Sequence, residues 1–198
     1  YSDRLFKFLI EWNYTDNQEH AIRLCGGNLF FNSLPFIFFF LPIVVVGYFL
    51  IGKMGKKGQI LLTAASLFFY FLLTPQYLPL LLVSILFNYI IGWLLLLVKS
   101  KKVTSQMQLL PYILLIGILG DFGLLGYYKY FNFIIVNLNH SFNFSIPAQQ
   151  IILPLGISFF TFTQIAFIVD TYRGKVESLN PLTYIQFVTF FPHLIAGP

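Results

Sequence analysis

The sequence predicts an all-α, multi-pass transmembrane protein, with about five spans and a broken or re-entrant segment at its carboxyl end. Three observations carry this. Hydrophobic residues make up 58% of the 198 residues and charged residues only 10%, whereas a soluble domain carries about a quarter of its residues as Asp, Glu, Lys and Arg. So few charges do not cover a folded surface in water. The apolar residues fall in continuous runs, several of them near the roughly 20 residues that cross a bilayer core. The basic residues sit in short clusters between those runs. That spacing explains the net charge of +5 as membrane topology and excludes a nucleic-acid footprint.

Residues 1–27 stand apart. They hold three basic groups (Arg4, Lys7, Arg23) and four acidic ones (Asp3, Glu11, Asp16, Glu19). The composition changes near Cys25-Gly26-Gly27, which sets a polar amphipathic segment, 1–27, against a membrane unit, 28–198. The chain opens on Tyr, so the first segment reads as the tail of something longer or an added piece. SDRLFKFLIEWNY suits a short helix lying at an interface. Lys7 and Glu11 interrupt its apolar run, so it is not a secretory signal.

The first predicted span is 29–51, uncharged, with Pro35 and Pro42 as candidate kinks. After GKMGKKG, a shorter run at 59–73 ends at Thr74-Pro75, and a full run follows at 78–98. The two read as a helical hairpin closed by a tight TPQY turn. The fourth run, 109–136, carries Gly117, Gly120, Gly123 and Gly126, a spacing that lets another helix come close. A polar loop is expected over 137–150. A fifth span at 151–169 ends in DTYRGKVE, and the run from Pro181 is expected to be a short helix breaking at Pro192.

Alternation of the loops gives the orientation. With residues 52–58 cytoplasmic, 99–108 and 173–180 are also cytoplasmic and the amino terminus is outside. Eight of the nine basic residues after position 28 then lie inside, Lys129 being the exception, as the positive-inside rule requires.

Chemistry has few places to reside. A lone Cys25 excludes a disulfide framework and a multi-Cys metal site. His20, His140 and His193 are too far apart to show metal-ligand spacing. The GxSxG, HExxH, CxxC and Gly-rich phosphate patterns are missing. Three features remain. Asp121 lies inside an apolar run, where a carboxylate costs about 2.5–3.5 kcal/mol on insertion scales and is a functional candidate by default. The blander alternative is a structural hydrogen bond or ion pair, with Lys129 one partner, about 12 Å away along an ideal helix. In ILPLGISFFTFTQIAFIVDTYRG, Ser158, Thr161 and Gln164 share a helical face and are candidates to line a passage or cavity. From spacing alone, interhelical hydrogen bonding explains them better. Asp170 and Arg173 stand at i, i+3 as an ion-pair candidate. In FFPHLIAGP, Pro192 and Pro198 are structural candidates for a bend, and Gly197 and His193 candidates to line a cavity. The pKa range of His193 suits acid–base work, but no partner for it can be named.

ILPLGISFFTFTQIAFIVDTYRG followed by FVTFFPHLIAGP resembles the membrane-bound O-acyltransferase family, most closely its branch that acetylates bacterial polysaccharides. NLFFNSLPFIFFFLPIVVVGYFL and LTAASLFFYFLLTPQYLPLLLVSILFNYIIG are similar to the first helices of that branch. The resemblance covers about residues 28–198 and leaves 1–27 outside. It implies the amino-terminal part of an all-helical membrane enzyme that moves an acetyl group from a cytoplasmic donor, acetyl-CoA or an acyl carrier, to a cell-envelope glycan. It also implies contact with membrane lipid and with envelope-modification partner proteins, and no nucleic acid. The family's catalytic histidine lies beyond residue 198, so the resemblance gives no catalytic residue to this stretch, His193 included, and predicts the stretch alone to be inactive. HLIAGP favours the acetylating branch over the D-alanyl-transferring relative. Outside the family, a transporter or flippase using Asp121 and the Ser/Thr/Gln face stays open, as does a structural membrane subunit.

Overall fold

The computed structural model describes residues 34, 36–51, 55–100, 107–142, 147 and 151–190, and among them every regular element is helical. Helix α1 (Leu41–Ile51) is entered through a wide π-helical turn, Phe36–Phe40. Pro42 lacks an N–H and its ring crowds the carbonyl four residues back. Widening the preceding turn is one way a helix accommodates that. Helix α2 (Lys56–Leu73) leads through a 3₁₀ turn at Pro75–Tyr77 into α3 (Leu78–Ser100). Thr74, which a following proline pushes out of the helical region, sits at φ −145° and ends α2. The hairpin at TPQY is therefore as expected, with α2 beginning three residues earlier than the apolar run.

Helix α4 (Leu110–Leu125) passes through a second π-helical turn, Gly126–Tyr130, into α5 (Phe131–Phe142). Here the structure corrects the sequence reading, because the expected loop over 137–150 starts with six helical residues. Polar side chains there do not break the helix: Asn137 Nδ2 donates back to the Phe133 carbonyl at 2.7 Å. No proline or glycine lies between Gly126 and Pro147 to stop it.

The start of the fifth expected span is also corrected. Residues 151–154 are not helical, and α6 (Ile157–Arg173) begins only after Gly156, whose φ is +71°. Pro154 and the left-handed Gly156 hold those residues out of the helix. At its other end α6 runs four residues past 169 and closes on Gly174 at φ +83°. Gly174 N–H donates to the Thr171 carbonyl and Lys175 N–H to that of Asp170, a left-handed cap that satisfies the last carbonyls. Helix α7 (Pro181–Thr189) is capped by Asn180, whose Oδ1 accepts from Leu182 N–H at 3.0 Å. The expected break at Pro192 lies outside the described residues.

Helices α3, α4 and α6 pack pairwise into a triad, α7 lies mainly against α2 and also touches α3 and α6, and α1 packs on α2. Leu81, Leu95, Phe160, Ile168 and Val188 are fully buried in the core. Two of the four glycines of α4 and its π turn permit the close approach the sequence suggested. A Cβ on Gly117 would stand 2.8 Å from Ile168 Cδ1 and one on Gly120 would stand 2.7 Å from the Phe87 ring, while Gly123 and Gly126 have nothing within 4 Å. Large apolar side chains such as Leu50, Val83, Leu86 and Leu119 face outward, a surface suited to lipid. Among the described residues two helices are long and apolar enough to cross a membrane, Pro75–Ser100 and Leu110–Ser141, and Phe38–Ile51 is a shorter apolar helix.

Candidate functional site: a polar cluster inside the helical triad

The centre of the triad is polar. Ser84 and Asn88 come from α3, Asp121 from α4, Thr161 and Gln164 from α6, and all five are buried, Asn88 and Gln164 completely. Ser84 Oγ donates to Gln164 Oε1 at 2.6 Å, and Asn88 Nδ2 donates to the same oxygen at 2.8 Å and to Asp121 Oδ1 at 2.7 Å. A third acceptor, the Ser84 carbonyl, lies 3.2 Å from Asn88 Nδ2. An amide nitrogen has two hydrogens, so the two short contacts take them and the third is secondary. Asn88 thus ties three helices together. From the helix ends at Ser100, Leu110 and Arg173, Asn88, Asp121 and Gln164 are displaced by about 18, 16 and 14 Å of helical rise. They therefore lie at about one level of the bundle.

The same cluster leaves polar atoms without a protein partner: Asn88 Oδ1, Asp121 Oδ2, Thr161 Oγ1, Gln164 Nε2 and the hydroxyl of Tyr184 on α7. The Tyr184 ring lies 4.2 Å from that of Phe167 and 5.8 Å from that of Tyr89, between α6 and α3.

The structure thus links Asp121 to Gln164 through Asn88, buries Thr161 three residues before Gln164 on the same helix, and sets the other candidates apart. Ser158 is half-buried at the start of α6, with Lys129 Nζ 3.5 Å from its Oγ. Lys129 also lies 5.5 Å from the centre of the Tyr130 ring, so it serves that end of the bundle and is not the partner of Asp121. Asp170 pairs with Lys175 at 2.9 Å instead of with Arg173. The left-handed Gly174 reverses the chain and carries Lys175 back over the last turn. His193, Gly197, Pro192 and Pro198 lie outside the described residues. Sequence reasoning missed Ser84 and Asn88. Their signal was present, as two polar side chains four residues apart, one helical turn, in the uncharged run 78–98.

Further contacts hold the two ends of the triad. Lys99 Nζ donates to the Thr171 carbonyl at 2.9 Å and to that of Tyr172, a cation on the negative end of α6. At the opposite end Tyr77 Oη donates to the Ile152 carbonyl at 2.7 Å and Tyr70 Oη to that of Leu155 at 3.2 Å. These hydroxyls serve carbonyls of the non-helical stretch before α6, which at membrane depth needs protein partners. Among the described residues no group of three His, Cys, Asp or Glu side chains is placed to hold a metal. The arrangement ties helices together and keeps one carboxyl group in the interior.

No family model and no solved structure matches the chain. Among curated proteins it is similar to peptidoglycan O-acetyltransferase of Helicobacter pylori, at 37% identity over 86% of this chain and 36% of that protein. It is also similar to the probable alginate O-acetylases AlgI of Pseudomonas aeruginosa and Pseudomonas putida. Each is 37% identical over 85% of this chain, covering 32% and 34% of those proteins. The chain spans about a third of the length of these relatives. With likeness of this extent to acetyltransferases of that kind, the chain belongs to the membrane-bound O-acyltransferase family.

Proposed function

We propose that this chain is the amino-terminal part of an integral-membrane O-acyltransferase that places acetyl groups on a cell-envelope polysaccharide. The observation that carries the reading is the 37% identity to peptidoglycan O-acetyltransferase over 86% of the chain. Relatives of both kinds are named for acetylating a carbohydrate polymer. That favours acetyl transfer over D-alanyl transfer, over transport or flipping, and over a structural subunit. The donor is a cytoplasmic thioester, acetyl-CoA or an acyl carrier. The acetyl–sulfur bond breaks, an ester bond forms to a glycan hydroxyl, and the hydroxyl proton ends on the departing sulfur. The base that assists lies in the remainder of the protein, and envelope-modification proteins deliver the acceptor.

In this reading about five helices cross the membrane, with a broken sixth segment, the amino terminus outside and residues 52–58, 99–108 and 173–180 in the cytoplasm. The α3–α4–α6 triad, with Thr161 and Gln164 inside it, is the fixed scaffold, and Ser158, His193 and Gly197 are assigned to the wall of the passage beside it.

Two experiments test the reading. Deleting the gene should abolish base-labile acetate on the envelope glycan, the full-length gene should restore it, and residues 1–198 alone should not. Unchanged acetate, or loss of esterified D-alanine instead, would refute the assignment. For the topology, a cysteine replacing Lys101 should react with a membrane-impermeant thiol reagent only after the cells are opened.

A further inference from the structure

We propose that Asp121 and Asn88 form a proton-binding acid–amide pair inside the membrane, with one proton on Asp121 Oδ2 donated to Asn88 Oδ1. The proposal does not depend on the transferase reading.

A carboxylic acid and a primary amide can pair through two hydrogen bonds, N–H to one carboxyl oxygen and O–H to the amide oxygen. The first is present, Asn88 Nδ2 to Asp121 Oδ1 at 2.7 Å. The two atoms that would make the second, Asp121 Oδ2 and Asn88 Oδ1, are both buried without a partner. One proton supplies the missing donor and leaves both satisfied. An ionised carboxylate would leave both acceptors orphaned and a bare charge in a medium that does not solvate it.

Among the described residues no cation is there to compensate. Among the described residues, the buried polar or titratable groups in this part of the bundle are Ser84 and Asn88 on α3, Thr161 and Gln164 on α6, and Tyr184 on α7. None of them is basic. The two lysines nearest along the helices are engaged elsewhere, Lys99 with the Thr171 and Tyr172 carbonyls and Lys129 with Ser158. The Asn88 amide is oriented with its nitrogen toward both Asp121 Oδ1 and Gln164 Oε1. Gln164 Oε1 already accepts from Ser84 Oγ and Asn88 Nδ2, so turning the Asn88 amide over would set oxygen against oxygen there.

The site does more than fill a hole. It makes the docking of α3 on α4 conditional on a bound proton, since its release would place an uncompensated charge at the hub of the triad.

The test is infrared spectroscopy of the whole protein in lipid nanodiscs at neutral pH, with carbon-13 introduced into its aspartate carboxyls. We expect a labelled carboxylic-acid carbonyl band that persists in Asp170→Asn and disappears in Asp121→Asn. Asp121→Asn supplies an N–H where the pair has its O–H, so its unfolding midpoint should stay within a few degrees of wild type. Exchanging sodium for potassium or choline should leave that midpoint unmoved. A spectrum with ionised-carboxylate bands alone would overturn the proposal, whether a cation (seen as salt-specific stabilisation) or water fills the place. If Asp121→Asn does not fold, Asp121→Glu keeps an acid at the site but carries no aspartate label, and loss of the labelled acid band there decides in its place.

Discussion

Replacing Gly117 and Gly123 by alanine, one at a time, should move stability in opposite directions. Both lie inside α4, and in a helix interior alanine is favoured over glycine by about 0.8–1 kcal/mol. At Gly123 nothing stands within 4 Å of the added Cβ, so that gain is realised in full. At Gly117 the same carbon meets Ile168 Cδ1 at 2.8 Å and Ile91 Cγ2 at 3.0 Å. Ile168 is fully buried and Ile91 nearly so, so a shift of either side chain presses on its own neighbours in the core. Overpacking of this kind costs about 1–3 kcal/mol. Taking about 2 kcal/mol for the clash and about 1 kcal/mol for the propensity gain, Gly117→Ala is destabilised by about 1 kcal/mol. The two variants should therefore differ by about 2 kcal/mol. Reversible unfolding in mixed micelles, followed by helical circular dichroism, reads that difference. Equal shifts at the two positions would refute the claim that α4 meets α3 and α6 at Gly117.

Further predictions follow from the contacts at the ends of the triad. Lys99→Met removes the cation from the last carbonyls of α6 and should cost about 1 kcal/mol in the same unfolding assay, within the range of a partly buried charge at a helix end. Gly174→Ala forces a left-handed backbone on a residue with a Cβ and should cost about 1–2 kcal/mol. Lys175→Ala, by contrast, removes an exposed ion pair worth under about 1 kcal/mol and should barely register. Tyr77→Phe deletes the hydrogen bond to the Ile152 carbonyl, for about 1 kcal/mol, and hydrogen exchange should quicken locally over residues 151–156 while α4 stays protected.

The helices were legible in the sequence where one physical signal dominated. The 78–98 run and the TPQY turn needed only apolar length and a proline, and both appear in the structure. The extent of α5 was not legible, because Asn137, Asn139 and His140 look like loop residues in composition. What decides the matter is local, an Asn side chain bonding its own helix with no breaker nearby. The pairing of Asp170 was misread for a similar reason. The i, i+3 spacing to Arg173 describes a helix that continues, whereas Gly174 turns the chain and substitutes Lys175. At the candidate site, Asp121 and Gln164 stood out as polar residues in apolar runs, but their connection did not. Asn88, which joins them, lowers the hydropathy of α3 too little to draw notice, and the rotation of three helices about their axes is not written in any one segment.

The triad also shows why its polar and small residues belong to one device. Lipid tails are as apolar as leucine, so helices in a membrane gain little from burying apolar side chains against each other and depend on close packing and hydrogen bonds. On α4, Gly117 and Asp121 are one turn apart and so share a face. On α3, Asn88 and Gly92 stand in the same relation, and a Cβ on Gly92 would lie 2.7 Å from the Phe167 ring of α6. On α6, Gln164 and Ile168 repeat the spacing, with Ile168 filling the space that Gly117 leaves. Each helix thus presents a hydrogen-bonding group one turn from a packing contact with its neighbours. The glycines let the backbones come close enough for short side chains such as Ser84 and Asn88 to reach across, and the hydrogen bonds fix the rotation that turns the glycines inward. A bulky residue at Gly117 should accordingly weaken the Asn88–Asp121 contact as well as the local packing, which couples substitutions at these positions more strongly than independent sites would be.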